Sequence, residues 1–181
     1  MKKAVVTGAS SGIGKEITLR LLKLGYIVIG VSRSISKNSF KDKNFIPIKA
    51  DLSDENSTLA TCQKLSQEDI YMLINCAGFG RFEPHEELKA KTITDMIFLN
   101  LNAPILLTNA LLRDLKKNSG YLININSIEA LRASKFAGVY SATKAGLKAF
   151  SDSLFEETRK SDLSITNINP DMTQSNFYKE L

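Results

Sequence analysis

The chain is poor in the residues that build most metal and hydrolytic centres, with 2 cysteines and a single histidine in 181 residues. Cys62 and Cys76 form no Cys-x-x-Cys, and no second histidine completes a ligand set, so a zinc centre is not expected. So few cysteines also suit a reducing compartment rather than a disulfide framework. A Ser-His-Asp hydrolase would need His85, but Glu83-Pro-His-Glu-Glu87 reads as a polar helix start. No apolar run approaches the roughly 18 residues that a membrane span needs. Met1-Lys-Lys-Ala-Val-Val-Thr-Gly8 turns polar after three apolar residues, too soon for a signal-peptide core. The net charge of +5 suits an acidic ligand, but the basic residues are scattered and form no stripe for nucleic acid. The expectation is a cytoplasmic chain that binds neither membrane nor nucleic acid.

What is present is an ordinary globular composition, 43% hydrophobic and 24% charged. Its length is most simply one domain, 1–181, able to bury about 70% of its unfolded surface. No internal repeat, low-complexity segment or linker interrupts it.

Lys3-Ala-Val-Val-Thr7 is apolar without alternation, as in a parallel strand covered on both faces. It runs into Gly8-Ala-Ser10-Ser11-Gly12-Ile13-Gly14, and from Lys15 to Leu24 the apolar spacing is helical, with Gly25 as a C-terminal cap. Strand, glycine turn and helix form a phosphate-binding unit: glycine lets the backbone approach a ligand, and the helix start points free N–H groups at it. Tyr26–Val31 is a second strand. After it, where an NAD-binding chain carries an acid for the ribose, stand Ser32 and Arg33, with no Asp or Glu from Tyr26 through Lys41. Arg33 can grip a 2′-phosphate through charge-assisted hydrogen bonds, so the cofactor reads as NADP(H); the plain alternative is a surface arginine in a polar loop.

Phe45–Ala50 is a third strand, with Pro47 arguing for a sheet edge. Asp51 and Leu52 follow at its C-terminal end, where open α/β sheets bind ligands, and Ser53 reads as the cap of a helix to about Leu65. Asp69–Asn75 is a fourth strand, closed by Cys76-Ala77-Gly78; Gly78 and Gly80 leave room for a bound group or serve packing. Leu88–Leu101 is helical. Pro104 has no N–H for the carbonyl of Asn100, which is left free to hold a water if the helix continues; equally, Asn102 caps a new helix with Pro104 in its first turn.

Gly120–Asn126 is a fifth strand and Tyr140 to about Lys160 a helix. Tyr140 and Lys144, four apart, share one helical face. The ammonium favours phenolate and lowers the phenol's pKa from about 10 toward neutrality, which suits proton transfer. Ser127, thirteen residues before Tyr140, is placed to hold the oxygen that takes the proton. Leu163–Asn169 is the sixth strand, followed by Pro170-Asp-Met-Thr173-Gln-Ser175. Six strands alternating with helices predict an α/β fold, a doubly wound parallel sheet of order 3-2-1-4-5-6 with right-handed crossovers.

Together these motifs resemble the short-chain dehydrogenase/reductase family along essentially the whole chain. Thr7-Gly8-x-x-x-Gly12-Ile13-Gly14 is similar to its cofactor turn, Asp51-Leu52 to its adenine contact, Asn75-x-Ala77-Gly78 to its fourth-strand motif, and Asn100, Ser127, Tyr140 and Lys144 to its catalytic tetrad. The resemblance implies a Rossmann-type fold and an NADP-dependent oxidoreductase, a carbonyl reductase or, in reverse, an alcohol dehydrogenase. Tyr140 would be general acid and base, Lys144 would tune it and bind the nicotinamide ribose, Ser127 would hold the carbonyl and Asn100 a relay water. Gly8, Ser10, Ser11, Gly12, Ile13, Gly14, Ser32, Arg33, Asp51, Leu52, Asn75, Ala77, Gly78, Pro170, Thr173 and Ser175 would join Tyr140 and Lys144 around the cofactor. A homodimer through helices 104–117 and 140–159 is implied as well. Phe79, Arg81, Leu131, Arg132 and Phe136 are expected at the mouth of a pocket for a small ketone or aldehyde.

The sequence departs from the pattern in places. Cys76 replaces the second Asn of its motif, Ser11 stands where many NADP-preferring members carry a base, Asp171 replaces the Gly after Pro170, and Ser175 stands for a Thr. Members commonly continue further, so the chain reads as C-terminally short, either with a more open site or as part of a longer gene product. The rival readings are a non-catalytic NADP-binding sensor or scaffold, a nucleotide-sugar epimerase or dehydratase, and a mononucleotide-binding flavoprotein.

Overall fold

The computed structural model describes residues 1–171 and 173. Six strands, β1 (Lys3–Thr7), β2 (Ile27–Ser32), β3 (Phe45–Lys49), β4 (Ile70–Asn75), β5 (Tyr121–Ile125) and β6 (Ser164–Ile168), form one sheet of order β3-β2-β1-β4-β5-β6. Every recorded pairing is parallel. Pro47 sits on the edge strand β3, where its missing N–H costs least.

Successive strand residues point to opposite faces, and both faces are apolar because helices cover both. Val5, Ile29, Leu73 and Leu122 pack with Leu65 of α2 (Glu55–Leu65), Leu107, Leu111 and Leu115 of α4 (Ala103–Lys117) and Leu154 of α5 (Gly138–Thr158). Ala4, Val6, Val28, Met72 and Ile74 pack with Leu21 and Leu22 of α1 (Gly12–Lys23) on the other side. This is the doubly wound sheet that the alternation of strands and helices predicts.

Local chemistry moves some boundaries. Asp54, not Ser53, caps α2, its carboxylate accepting the Ser57 N–H at 2.7 Å, while Ser53 donates its N–H and O–H to Asp51 Oδ1. Asn102 is no cap: α3 (Ala90–Ile97) runs through a π-helical segment, Phe98–Asn102, straight into α4, and Asn102 has helical dihedrals (φ −64°, ψ −47°). The continuous helix is the alternative that leaves Pro104 without an N–H for the Asn100 carbonyl. The rod Ala90–Lys117 is long and apolar enough to cross a membrane, but Leu107, Leu111 and Leu115 spend its apolar face on the sheet.

Candidate active site

At the C-terminal end of β1 the backbone turns with no room to spare. Gly8 and Gly12 have positive φ, 68° and 51°. A Cβ on Gly14 would stand 2.4 Å from the Gly8 carbonyl oxygen, so only hydrogen lets α1 start so close to the strand. Thr7 fastens this turn to the neighbouring strand, its Oγ1 accepting the N–H groups of Cys76 and Ala77, each at 2.9 Å. Ser11 occupies the cap position of α1 without capping it through its side chain, which leaves the first-turn N–H groups as an anion site.

A cavity of about 270 Å³ opens beside the turn, with Ser10, Ser11, Ser32, Arg33, Asp51 and Leu52 in its wall. The Ser32 hydroxyl is buried there without a hydrogen-bond partner among the described residues. Burial works against the Asp51 carboxylate, but the two Ser53 hydrogen bonds and the charges of Arg33 and Lys91 outweigh it and hold its pKa below the usual carboxylate value.

A second cavity, of about 90 Å³, meets the first at Gly78. Ser127, Tyr140 and Lys144 line it, with Ile13 from the glycine turn and Pro170, Asp171 and Thr173 from beyond β6. α5 presents Tyr140 and Lys144 one turn apart, both buried. The Lys144 amine donates to the Ile125 carbonyl at 3.1 Å and lies 5.8 Å from the centre of the Tyr140 ring. Burial drives the Lys144 pKa from 10.5 down to about 8, with Cys76 acting in the opposite sense. Burial likewise pushes the Cys76 thiol up to about 11 against the pull of Lys144, so this cysteine is no thiolate near neutrality.

Ser127 ends the β5 segment, and its Oγ accepts the Glu129 N–H at 3.2 Å, so its own O–H can point into the cavity. Glu129 in turn anchors the loop: its carboxylate accepts from Arg132 Nε (3.2 Å), Ser134 Oγ (2.7 Å) and Ser141 Oγ (3.0 Å). Burial alone would raise the Glu129 pKa, but these bonds outweigh it and keep the group ionised. Arg132 also lies 3.6 Å from Asp171, which gives the carboxylate in the unusual position after Pro170 a cation of its own.

Asn100 is fully buried below this cavity, not in its wall. Its Nδ2 donates to the Phe79 carbonyl (2.8 Å) and Thr143 Oγ1 (3.2 Å), and its Oδ1 accepts the Phe79 N–H (3.0 Å). A Cβ on Gly78 would stand 3.0 Å from Asn100 Oδ1 and 3.7 Å from Lys144 Nζ, so a larger residue there would crowd the Asn100 amide. Asn75 lines neither cavity and donates instead to Asn124 Oδ1 at 2.8 Å, tying β4 to β5. Phe79, Arg81, Leu131, Arg132 and Phe136 are absent from the wall of the Ser127 cavity; Leu131 and Phe136 are exposed on the surface. Ser175 lies outside the described residues.

Sequence reasoning placed Thr7 in the cofactor turn without its clamp on the loop after β4, and missed Asn126 and Glu129 as parts of this centre. The signal for Asn126 was present, because Asn124 and Asn126 put amides at alternate positions of a strand that should bury only apolar groups.

Known proteins share this fold. The family model for short chain dehydrogenases matches residues 2–181. The chain is 30% identical to a 3-oxoacyl-[acyl-carrier-protein] reductase of Buchnera aphidicola, over 99% of its own length and 77% of that protein. It is 33% identical to a probable short-chain type dehydrogenase/reductase of Helicobacter pylori, over 97% of its own length and 66% of that protein. Among solved structures, a short-chain dehydrogenase from Sphingobium yanoikuyae in complex with NADPH superposes with a TM-score of 0.92 at 25% identity, over 99% of this chain and 74% of that one. An alcohol dehydrogenase from the archaeon Thermococcus sibiricus complexed with 5-hydroxy-NADP superposes with a TM-score of 0.88 at 27% identity, over 98% of this chain and 79% of that one.

Proposed function

The chain belongs to the short-chain dehydrogenase/reductase family, and from that premise we propose that it is an NADP(H)-dependent carbonyl reductase acting on a small ketone or aldehyde. The observation that carries the reading is the shared cavity: Ser127, Tyr140 and Lys144 converge on one space that reaches the glycine turn at Ile13 and the loop after β4 at Gly78.

The residues present fit a phosphorylated dinucleotide. The uncapped start of α1 and the tight glycine turn suit a pyrophosphate, and the unpartnered Ser32 hydroxyl beside Arg33 suits a phosphorylated ribose. No Asp or Glu stands between the end of β2 and Lys41, where it would meet that phosphate beside Arg33. When bound, the cofactor supplies the hydride.

The chain's own residues manage the proton. Ser127 donates a hydrogen bond to the carbonyl oxygen and orients it. Tyr140 gives that oxygen its proton in reduction and takes it back in oxidation. With a pKa of about 8, Lys144 is mostly cationic at neutral pH, and its charge stabilises the phenolate form of Tyr140. Asn100 contributes position, bracing the Phe79 backbone and Thr143 beneath the site, and its own carbonyl offers a place for a relay water. The same reading implies a homodimer, in which the exposed small face of α5 at Ala142, Ala145 and Ala149 meets its twin.

The test is NADPH consumption with a panel of ketones and aldehydes, run beside Tyr140→Phe. The variant should lose about a hundredfold or more in turnover while still binding NADPH. Turnover near the unaltered rate would remove Tyr140 as the acid, and NADPH binding without turnover on any substrate would favour a sensor.

A further inference from the structure

β5 and β6 carry the same triplet, Asn-Ile-Asn, at Asn124–Asn126 and Asn167–Asn169. Their register sets Asn124 beside Asn167 and Ile125 beside Ile168. The Asn126 N–H donates to the Ile168 carbonyl at 2.7 Å, carrying the pairing one step past the strands. The result is two rows of asparagine across the sheet, one within it and one at its rim, both directed by alternation toward α5.

The inner row is linked from end to end, with Asn75 Oδ1 the one buried amide atom in it left unpartnered among the described residues. Asn75 Nδ2 donates to Asn124 Oδ1 (2.8 Å), Asn124 Nδ2 to Ser151 Oγ (2.8 Å), and Ser151 Oγ to Asn167 Oδ1 (3.0 Å). The outer row is not. Asn126 is 3% exposed, and among the described residues neither its Nδ2 nor its Oδ1 has a hydrogen-bond partner; Asn169 Oδ1 is unpartnered there too. The cause lies along α5, whose buried face runs Ser151, Leu147, Lys144, Tyr140. Ser151 answers the inner row, whereas at the rim the helix presents Lys144, whose amine is engaged by the Ile125 carbonyl, and Tyr140.

A buried carboxamide with both edges unpaired is unfavourable and rare, and Asn126 lines the cavity shared by Ser127, Tyr140 and Lys144. Complementarity narrows what can answer it. A reacting carbonyl accepts from Nδ2 but leaves Oδ1 unpaired. A group that both donates and accepts, such as a ribose hydroxyl or a primary carboxamide, satisfies both edges. Resting on the NADP(H) reading, we propose that Asn126 is a further cofactor-binding residue, its amide holding the nicotinamide riboside end of the dinucleotide.

Calorimetric titration of the unaltered chain and Asn126→Ala tests this with three probes: NADPH, 2′-phospho-ADP-ribose, which lacks the nicotinamide, and adenosine 2′,5′-bisphosphate, which lacks the second ribose as well. The variant should bind NADPH about tenfold more weakly or worse, and the bisphosphate equally well. An equal loss for 2′-phospho-ADP-ribose assigns the contact to the ribose, and an unchanged affinity for it assigns the contact to the carboxamide. The melting temperature of the free variant should not fall, because no side-chain hydrogen bond to the described residues is lost. Unchanged NADPH affinity overturns the proposal, with or without a lower melting temperature. If the unaltered chain binds none of the three probes, the dinucleotide reading itself fails. Asn126→Ser, smaller and still polar, serves the same comparison if the alanine variant does not fold.

Discussion

Lys144→Met should make the free protein more stable near neutral pH and less stable at high pH. Lys144 is buried, and its pKa falls from 10.5 to about 8 on folding because its charge loses water. The difference corresponds to roughly 3 kcal/mol of destabilisation when the amine is protonated in both states. That penalty is fully present below about pH 8. Between about pH 8 and 10.5 the unfolded chain holds the proton and the folded one does not, so stability rises with pH across this window. Methionine fills similar space without charge but loses the 3.1 Å bond to the Ile125 carbonyl, at a cost of about 1 kcal/mol. The variant should therefore gain about 2 kcal/mol near pH 7, a rise of roughly 4–8 °C in melting temperature for a chain of this size. The two proteins should be about equally stable near pH 10, and well above pH 10.5, where the penalty has vanished from the parent, the order should reverse by roughly 1 kcal/mol. Urea denaturation of both proteins across this range measures the crossing. A variant less stable than its parent by the same amount at every pH would refute the argument that burial penalises this lysine. Turnover should fall steeply in the same variant, since in the proposed mechanism the charge that destabilises the fold is the one that favours the Tyr140 phenolate.

Two other substitutions probe the frame around the site. Thr7→Val keeps the shape of a buried side chain and strands the N–H groups of Cys76 and Ala77, so it should cost about 2–4 kcal/mol in chemical denaturation; a loss below about 0.5 kcal/mol would mean that these donors find other partners. Arg33→Ala should weaken NADPH binding about tenfold to a hundredfold and NADH binding about twofold or less, by titration, and equal losses would remove Arg33 from the phosphate.

Much of this architecture is legible in one dimension because it is written in local periodicity. Val5 and Leu73 read as buried strand residues from their neighbours alone, and Gly8, Gly12 and Gly14 mark a turn that no larger residue could make. Ser127, Tyr140 and Lys144 were found by spacing, since a strand end and one helical turn set their separation. The cap of α2 slipped from Ser53 to Asp54 because either side chain can accept there, and the choice depends on Ser53 being drawn to Asp51. The path through Asn100 was undecidable locally, since capping at Asn102 and a continuous helix use the same residues; packing along Ala90–Lys117 chose the continuous helix.

The sequence by itself determined the order of strands and helices, the glycine turn and the pairing of a phenol with an amine. Each of these depends on residues within a turn or two of one another. Tertiary structure alone decided that Lys144 is stripped of water, that Thr7 clamps a loop seventy residues away, and that Asn126 stands at the rim with both amide edges unanswered. Desolvation and hydrogen-bond satisfaction are set by whatever distant segments close around a group, and no spacing along the chain records them.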